Sequence, residues 1–466
     1  MGGARSPHSK SVMSMLRTVG MGIAWNTLAS ILVKVFTLAN VFLIVSHLTV
    51  YDYGLTQLVI SVFSTVAGLL LPGLGSVLIA DLARDRGAWR IAQLGTLARQ
   101  YLVLQIILGT LAFLILFAGS LPLAAYIHRP DIGYYLVIIA FLFLTSPFLG
   151  VLGVLAAAEL RFGLQSALSV LGEAIKLLFL LIFFYGFGLG ISGVLLSMVL
   201  TPLVISVVTL PWAWKSFKPL ISAPPAEESI WKLMTSHRLW GIASSYLATL
   251  TQNLRLWFIQ LFLGTEAVAF FSFAQGLFSQ ASALITFGVV TNPVLAHAAH
   301  DPERLGDFTM RTLKYHVWIA LAALVPGMIV TPFFIHWFFP AYAPAILISV
   351  IYLLVLIPGA VNIATTAAYT ALQKQREYFF RATLVRSVSI AILTPPLLLL
   401  FGLIGSAIEP ILTLSISTFE RIRMLRLLLP SFVPSLSTLF VYDATDRALV
   451  SRLMNRLRPL GDARTL

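Results

Sequence analysis

The chain has 466 residues, 59% of them hydrophobic and only 11% charged, with a mean hydropathy of +0.93. A soluble domain carries roughly 25% charge, so too little polar surface is left to coat a water-exposed globule. The net charge of +13 does not imply a nucleic-acid partner, because Lys and Arg fall in short gaps between apolar runs where lipid headgroups account for them, and with no cysteine disulfide and thiolate chemistry are excluded.

Residues 1–20 are polar and carry Arg5, Lys10 and Arg17. The apolar run that follows is too long for a signal-peptide core and has no small-residue cleavage site, so it reads as a retained first span. Spans are expected at 22–46, 54–80, 97–118, 133–157, 165–185 and 189–212, and again at 238–262, 267–290, 315–335, 345–371, 382–401 and 403–422. Each is long enough to cross about 30 Å of hydrocarbon as a helix. The fold class is therefore an all-α polytopic membrane protein of twelve transmembrane helices. Prolines at 147, 202, 326 and 395–396 mark kinks that membrane helices tolerate.

The basic residues orient these spans. With both termini cytoplasmic, one side collects Arg84, Arg86, Arg90, Arg99, Arg161, Lys215, Lys218, Lys232 and Arg238 in the first half. The second half adds Arg304, Arg311, Lys314, Lys374, Arg376, Arg381, Arg386, Arg421, Arg423 and Arg426. The other side holds only Arg129, a bias that fixes direction and favours an even number of crossings. Residues 427–441 are apolar but short and contain Pro430 and Pro434, which suits a re-entrant or interfacial segment. Beyond them Leu449, Val450, Leu453, Met454 and Leu457 line one helical face among arginines, the pattern of a helix lying on an anionic leaflet.

The two sets of six spans align at a shift of about 214 residues. Asp52 falls on Glu266, each before a span, and Gly188 falls on Gly402, each before the last span of its set. Six is even, so both copies insert in the same orientation, as a parallel repeat of two bundles about an axis along the membrane normal. The expected divisions are an N-lobe at 1–214, a linker at 215–237, a C-lobe at 238–425 and a basic tail segment at 426–466.

The run Asn40-Val-Phe-Leu-Ile-Val-Ser-His-Leu-Thr-Val-Tyr-Asp-Tyr-Gly-Leu55, followed by Leu70-Leu-Pro-Gly-Leu-Gly-Ser76 and Ala80-Asp-Leu-Ala-Arg84, resembles the opening of the polysaccharide flippases, the Wzx-type translocases of the MOP superfamily. Leu263-Gly-Thr-Glu-Ala-Val-Ala-Phe-Phe-Ser-Phe-Ala274, Asn292-Pro-Val-Leu295, Phe338-Phe-Pro-Ala-Tyr342 and Phe401-Gly-Leu-Ile-Gly-Ser-Ala407 continue the likeness. The first loop departs from the commoner form in having no glycine before its Tyr-Gly pair. The resemblance implies flipping of an undecaprenyl-pyrophosphate-linked oligosaccharide across a bacterial inner membrane, without ATP hydrolysis by the protein itself. It implies no cofactor, coupling to a proton or sodium gradient, and a basic cavity between two lobes. Expected partners are the lipid-linked oligosaccharide, anionic membrane lipids, and the polymerase and glycosyltransferases of a surface-polysaccharide system.

Charges inside apolar runs are expensive and therefore informative. Lys34 in the first span, Arg255 in the seventh and Lys176 in the fifth are candidates for cavity cations that bind pyrophosphate, against the structural alternative of snorkelling or pairing with a carboxylate. Glu173, three residues before Lys176, has the spacing of an intrahelical pair and is also a coupling candidate. Glu409 in the twelfth span has no basic partner on its own helix and is the second coupling candidate. The histidines show no metal-ligand spacing, and no nucleotide-binding or serine-nucleophile motif is present. A small-molecule exporter of the same two-lobe fold is the nearest alternative. A membrane polymerase or glycosyltransferase is disfavoured for want of a large polar loop.

Overall fold

The computed structural model describes residues 29–70, 91–126, 129–158, 161–222, 239–285, 301–372, 374–443 and 446–447. In chain order these form α1 Ala29–His47, α2 Val50–Leu70, α3 Ile91–Tyr126, α4 Pro130–Ala156, α5 Phe162–Leu181 with a π-helical turn at Ile182–Gly186, and α6 Ile191–Ile221. The second half gives α7 Leu239–Leu263, α8 Thr265–Ile285, α9 Pro302–Phe338, α10 Ala345–Ala371, α11 Gln375–Leu428 and a short α12 Leu436–Phe440. Among the described residues nine helical segments are long and apolar enough to cross a membrane. Helices α7 and α8, of 25 and 21 residues, are not among those nine and pack between them. Leu121, Val207, Val208, Leu261, Ile329, Leu399 and Leu400 are exposed, as expected of side chains whose solvent is lipid rather than water.

Helix α11 is not one straight rod. Its 54 residues would reach about 80 Å at 1.5 Å per residue, far beyond the hydrocarbon core. At Gly402 the backbone takes φ 54° and ψ −133°, a conformation reserved for glycine, and the chain doubles back. The Ser417 hydroxyl donates to the Ala382 carbonyl at 3.1 Å, and Arg381 meets Glu420 at 3.6 Å, contacts that only an antiparallel hairpin allows. Gly188, which the sequence alignment of the two halves places opposite Gly402, also has positive φ, at 64°. Under that alignment α2 falls on α8 and α4 on α10, each to within a residue. The paired helices have equal lengths of 21 and 27 residues.

One apolar core joins the two halves. Leu58, Val59 and Val62 of α2 share it with Val268, Phe271 and Phe273 of α8 and with Ile259 of α7. The approach is closest at Gly54, where a Cβ would stand 2.1 Å from the Thr265 carbonyl oxygen, so only glycine fits. Around this contact the rings of both halves interlock: Tyr53 on Tyr342, Phe42 on Phe338 and Phe339, and Phe273 on Phe339 and Tyr342, with centroids 4.7–6.4 Å apart. Arg129 lies over the Tyr51 ring at the same end, 5.4 Å from its centroid. These rings form an aromatic seal between the described helices of the two halves.

The described residues after α11 do not form a span. Their only helices are the five-residue α12, capped by a reciprocal Ser435–Thr438 box, and residues 446–447. They lie along the start of α9: Ser431 donates to the Glu303 carbonyl at 3.0 Å and the Trp318 indole to the Leu439 carbonyl at 2.9 Å. Lys314 donates to the Val441 carbonyl at 2.5 Å and pairs with the Asp446 carboxylate, which also accepts from the Tyr315 hydroxyl at 2.8 Å. Burial alone raises the pKa of Asp446, but the hydrogen bonds from Lys314, the Asp443 backbone and Tyr315 outweigh it and hold that carboxyl at about 2. The amphipathic helix expected at 449–457, residues 223–237 of the linker, and the motif residues at 71–84 and 292–295 lie outside the described residues.

Candidate functional site

The polar interior of the second half is assembled from α7, α10 and the two arms of α11. Helix α7 carries Thr251, Gln252, Asn253 and Arg255 at its middle, with Ser244, Ser245 and Thr249 before them and Gln260 after, a load that a lipid-facing helix does not bear. Arg255 is 2% exposed and Glu409 fully buried. The Arg255 Nε donates to one Glu409 oxygen, and a terminal guanidinium nitrogen donates to the other at 3.2 Å. The Thr413 hydroxyl donates to the same carboxylate at 2.9 Å. The fork of guanidinium onto carboxylate is the geometry that makes such a pair strong. Arg255 is thus bonded to an acid on a distant helix rather than presented on a cavity wall, and Glu409 has the basic partner that its own helix lacks.

Toward the end opposite the aromatic seal, α7, α10 and α11 part to leave a cavity of about 470 Å³. Ser244, Ser245, Thr366, Thr370, Tyr369, Tyr378, Thr383 and Gln375 line it, a wall of hydroxyl and amide groups that both donate and accept hydrogen bonds. A smaller cavity of about 80 Å³ adjoins it, sharing Ala248, Tyr378 and Thr383 and adding Gln252, Asn362, Arg386 and Arg421. Between Tyr378 and Arg386 the helix widens into a π-helical stretch at Phe379–Leu384, a deviation frequent at functional sites. Arg421 donates to the Thr366 hydroxyl at 3.1 Å, and its guanidinium sits 4.9 Å over the Tyr378 ring. The charge pattern groups Arg386 and Arg421 with the basic cytoplasmic side, although both fall within the expected spans 382–401 and 403–422. Arg386 lies more than a turn inside the rim arginine Arg381, which is a signal of its inward position.

In the first half, Lys34 on α1 and Lys176 on α5 are half-buried. The Asn40 amide donates to the Glu173 carboxylate at 2.8 Å and to the Glu173 carbonyl at 3.2 Å, tying α1 to α5. Glu173 and Lys176 form no ion pair within 4.0 Å, so the carboxylate serves the interhelical bond instead. The structure brings Arg255 and Glu409 together, and leaves Lys34, Lys176 and Glu173 in the other half. Among the described residues no three His, Cys, Asp or Glu side chains gather as metal ligands.

An all-helical bundle of two halves, with interlocked rings at one end and a polar cavity toward the other, is the fold also found in solved transporters of the MOP superfamily. Solved structures agree on the fold. An inward-facing multidrug-resistance MATE transporter of the MOP superfamily is 17% identical with a TM-score of 0.72, covering 86% of this chain and 95% of that one. A MOP superfamily transporter from Pyrococcus furiosus, described as having a binding pocket of reversed polarity, is 18% identical with a TM-score of 0.67, covering 90% and 96%. An outward-facing MATE transporter is 19% identical with a TM-score of 0.65, covering 89% and 96%. A comparison with curated proteins finds no match. The profile of the family described as "Polysaccharide biosynthesis protein" matches residues 46–346, and the chain belongs to that family.

Proposed function

We propose that this protein is a flippase that moves an undecaprenyl-pyrophosphate-linked oligosaccharide from the cytoplasmic to the periplasmic leaflet by alternating access. The observation that carries the reading is the pairing of a sealed end with a hydroxyl-lined cavity of about 470 Å³ toward the other end, in a member of a polysaccharide-biosynthesis family. In this reading twelve crossings are arranged as two six-helix bundles, residues 1–214 and 238–425, joined by the linker at 215–237, with 426–466 as tail. The equal lengths of α2 and α8 and of α4 and α10, with the reversal inside α11, support that count.

The aromatic seal faces the periplasm and both termini face the cytoplasm. Support comes from the placement of Arg161, Lys218, Arg304, Arg311, Arg376 and Arg423 near helix ends away from the seal. Lys34 and Lys176 act on the N-lobe side of the path as cations for the pyrophosphate, with Arg255 held in reserve by Glu409. Glu409 is the first candidate for proton coupling and Glu173 the second, the driving force being a proton or sodium gradient. Anionic lipids contact the basic face, and the polymerase and glycosyltransferases of the same system act before and after the flip.

Reconstitution tests this directly. Vesicles containing the protein and a fluorescent polyprenyl-pyrophosphate oligosaccharide are treated with a membrane-impermeant quencher. Lipid exchange between leaflets without ATP is the expected result. No exchange, together with gradient-driven efflux of a small organic cation, would overturn the reading in favour of an exporter.

A further inference from the structure

Arg386 and Arg421 stand on opposite arms of the α11 hairpin and line the same cavity of about 80 Å³. Neither has a carboxylate within 4.0 Å among the described residues. Glu420 is shared by Arg381 and Arg423 at the rim, at 3.6 and 3.7 Å, and Glu409 is taken by Arg255. The Nε atoms of both arginines are buried and bond nothing. Two guanidinium charges lining one small cavity inside a low-dielectric bundle repel each other, and neither is paired with a carboxylate of its own. Such an arrangement is stabilised by an anion supplied from outside.

The lining favours an oxyanion. Arginine grips such oxygens with paired N–H donors, and Gln252, Asn362 and Thr383 add neutral donors around the same space. The larger hydroxyl-lined cavity opens next to it.

We propose that Arg386 and Arg421 form an oxyanion site for a phosphate-type group inside the second half of the protein, with the polar moiety attached to that phosphate in the adjoining cavity. The phosphate comes from the head of a lipid carrier or from free inorganic phosphate; the first source rests on the flippase reading and the second does not.

The test uses the full-length protein in detergent and radiolabelled inorganic phosphate. Saturable binding is expected, weakened about tenfold or more in Arg386→Gln by loss of its charge-assisted donors, and weakened less in Arg386→Lys, which keeps the charge but not the paired donors. Arg421→Gln is expected to match Arg386→Gln. Because Arg421 also bonds Thr366 and covers Tyr378, the Arg386 pair carries the test should the Arg421 variant misfold. Geranyl pyrophosphate that displaces phosphate far better than inorganic pyrophosphate identifies a lipid head as the source; equal displacement identifies a free anion. Absence of saturable phosphate binding, or equal binding by wild type and Arg386→Gln, overturns the site. Phosphate binding that persists while leaflet exchange fails leaves the site standing and removes the flippase.

Discussion

Arg255 and Glu409 are 154 positions apart in the chain and form a buried, two-point ion pair that ties α7 to the returning arm of α11. Removing one partner leaves the other charged and uncompensated. Glu409→Ala is expected to destabilise the protein by about 3–5 kcal/mol, seen as a lower melting temperature in detergent by fluorescence-detected gel filtration. Arg255→Met combined with Glu409→Leu should recover most of that loss. A Glu409→Ala variant as stable as wild type would show that the pair contributes nothing.

Gly54 sets how closely the halves meet at the sealed end. Gly54→Val places side-chain atoms where the Thr265 carbonyl now stands, so the seal should loosen and the closed state lose population. The chain has no native cysteine, so Tyr53→Cys with Tyr342→Cys can be linked by a short bifunctional reagent without background. Efficient linking in that pair, and a clear fall when Gly54→Val is added, is the expected pattern; unchanged linking would place the seal elsewhere.

The docked tail has a defined pH response. Asp446 is held at about 2, below the ordinary carboxylate value of about 4. Its contribution is therefore complete above that ordinary value and is lost as the pH falls through about 2. Trp318 fluorescence, which reports the indole's bond to Leu439 and its stacking on Tyr442, should show no Asp446-dependent change from about pH 5 to pH 8. Asp446→Asn should loosen the tail across that range and speed its proteolysis at neutral pH.

Gly402 and Gly188 make one prediction at two places. Alanine at either must adopt a positive φ, at a cost of about 1–3 kcal/mol. Gly402→Ala should be the worse, because its ψ of −133° lies outside the left-handed helical basin open to other residues. Losses of thermal stability at both sites, larger at Gly402, with alanine at the exposed Gly186 nearly neutral, would confirm the backbone origin.

Much of the helical plan is legible in the sequence because membrane spans are written in consecutive residues. Runs such as 345–371 need only length and hydropathy to be bounded, and Phe401-Gly402 marks a break inside an apolar stretch too long to be one crossing. Charge position is harder to read. Arg386 and Arg421 fall inside the expected spans 382–401 and 403–422, yet the charge pattern groups them with the basic cytoplasmic side, and only the packed hairpin shows both lining one cavity. The Arg255–Glu409 bond is invisible for another reason: nothing in a single sequence couples residues on helices that meet only in three dimensions. Lys34 and Lys176 were found by the cost of charge in hydrocarbon, which identifies an unusual residue without saying what it touches.

The interlocked rings of Tyr53, Tyr342, Phe42, Phe273, Phe338 and Phe339 also carry a thermal signature. Parting them would wet aromatic surface, and newly wetted apolar surface raises heat capacity. On the alternating-access reading, the two access states would differ in enthalpy by an amount that itself changes with temperature, so their ratio would follow a curved rather than a straight van't Hoff line. On that reading there is a temperature at which the protein is hardest to open.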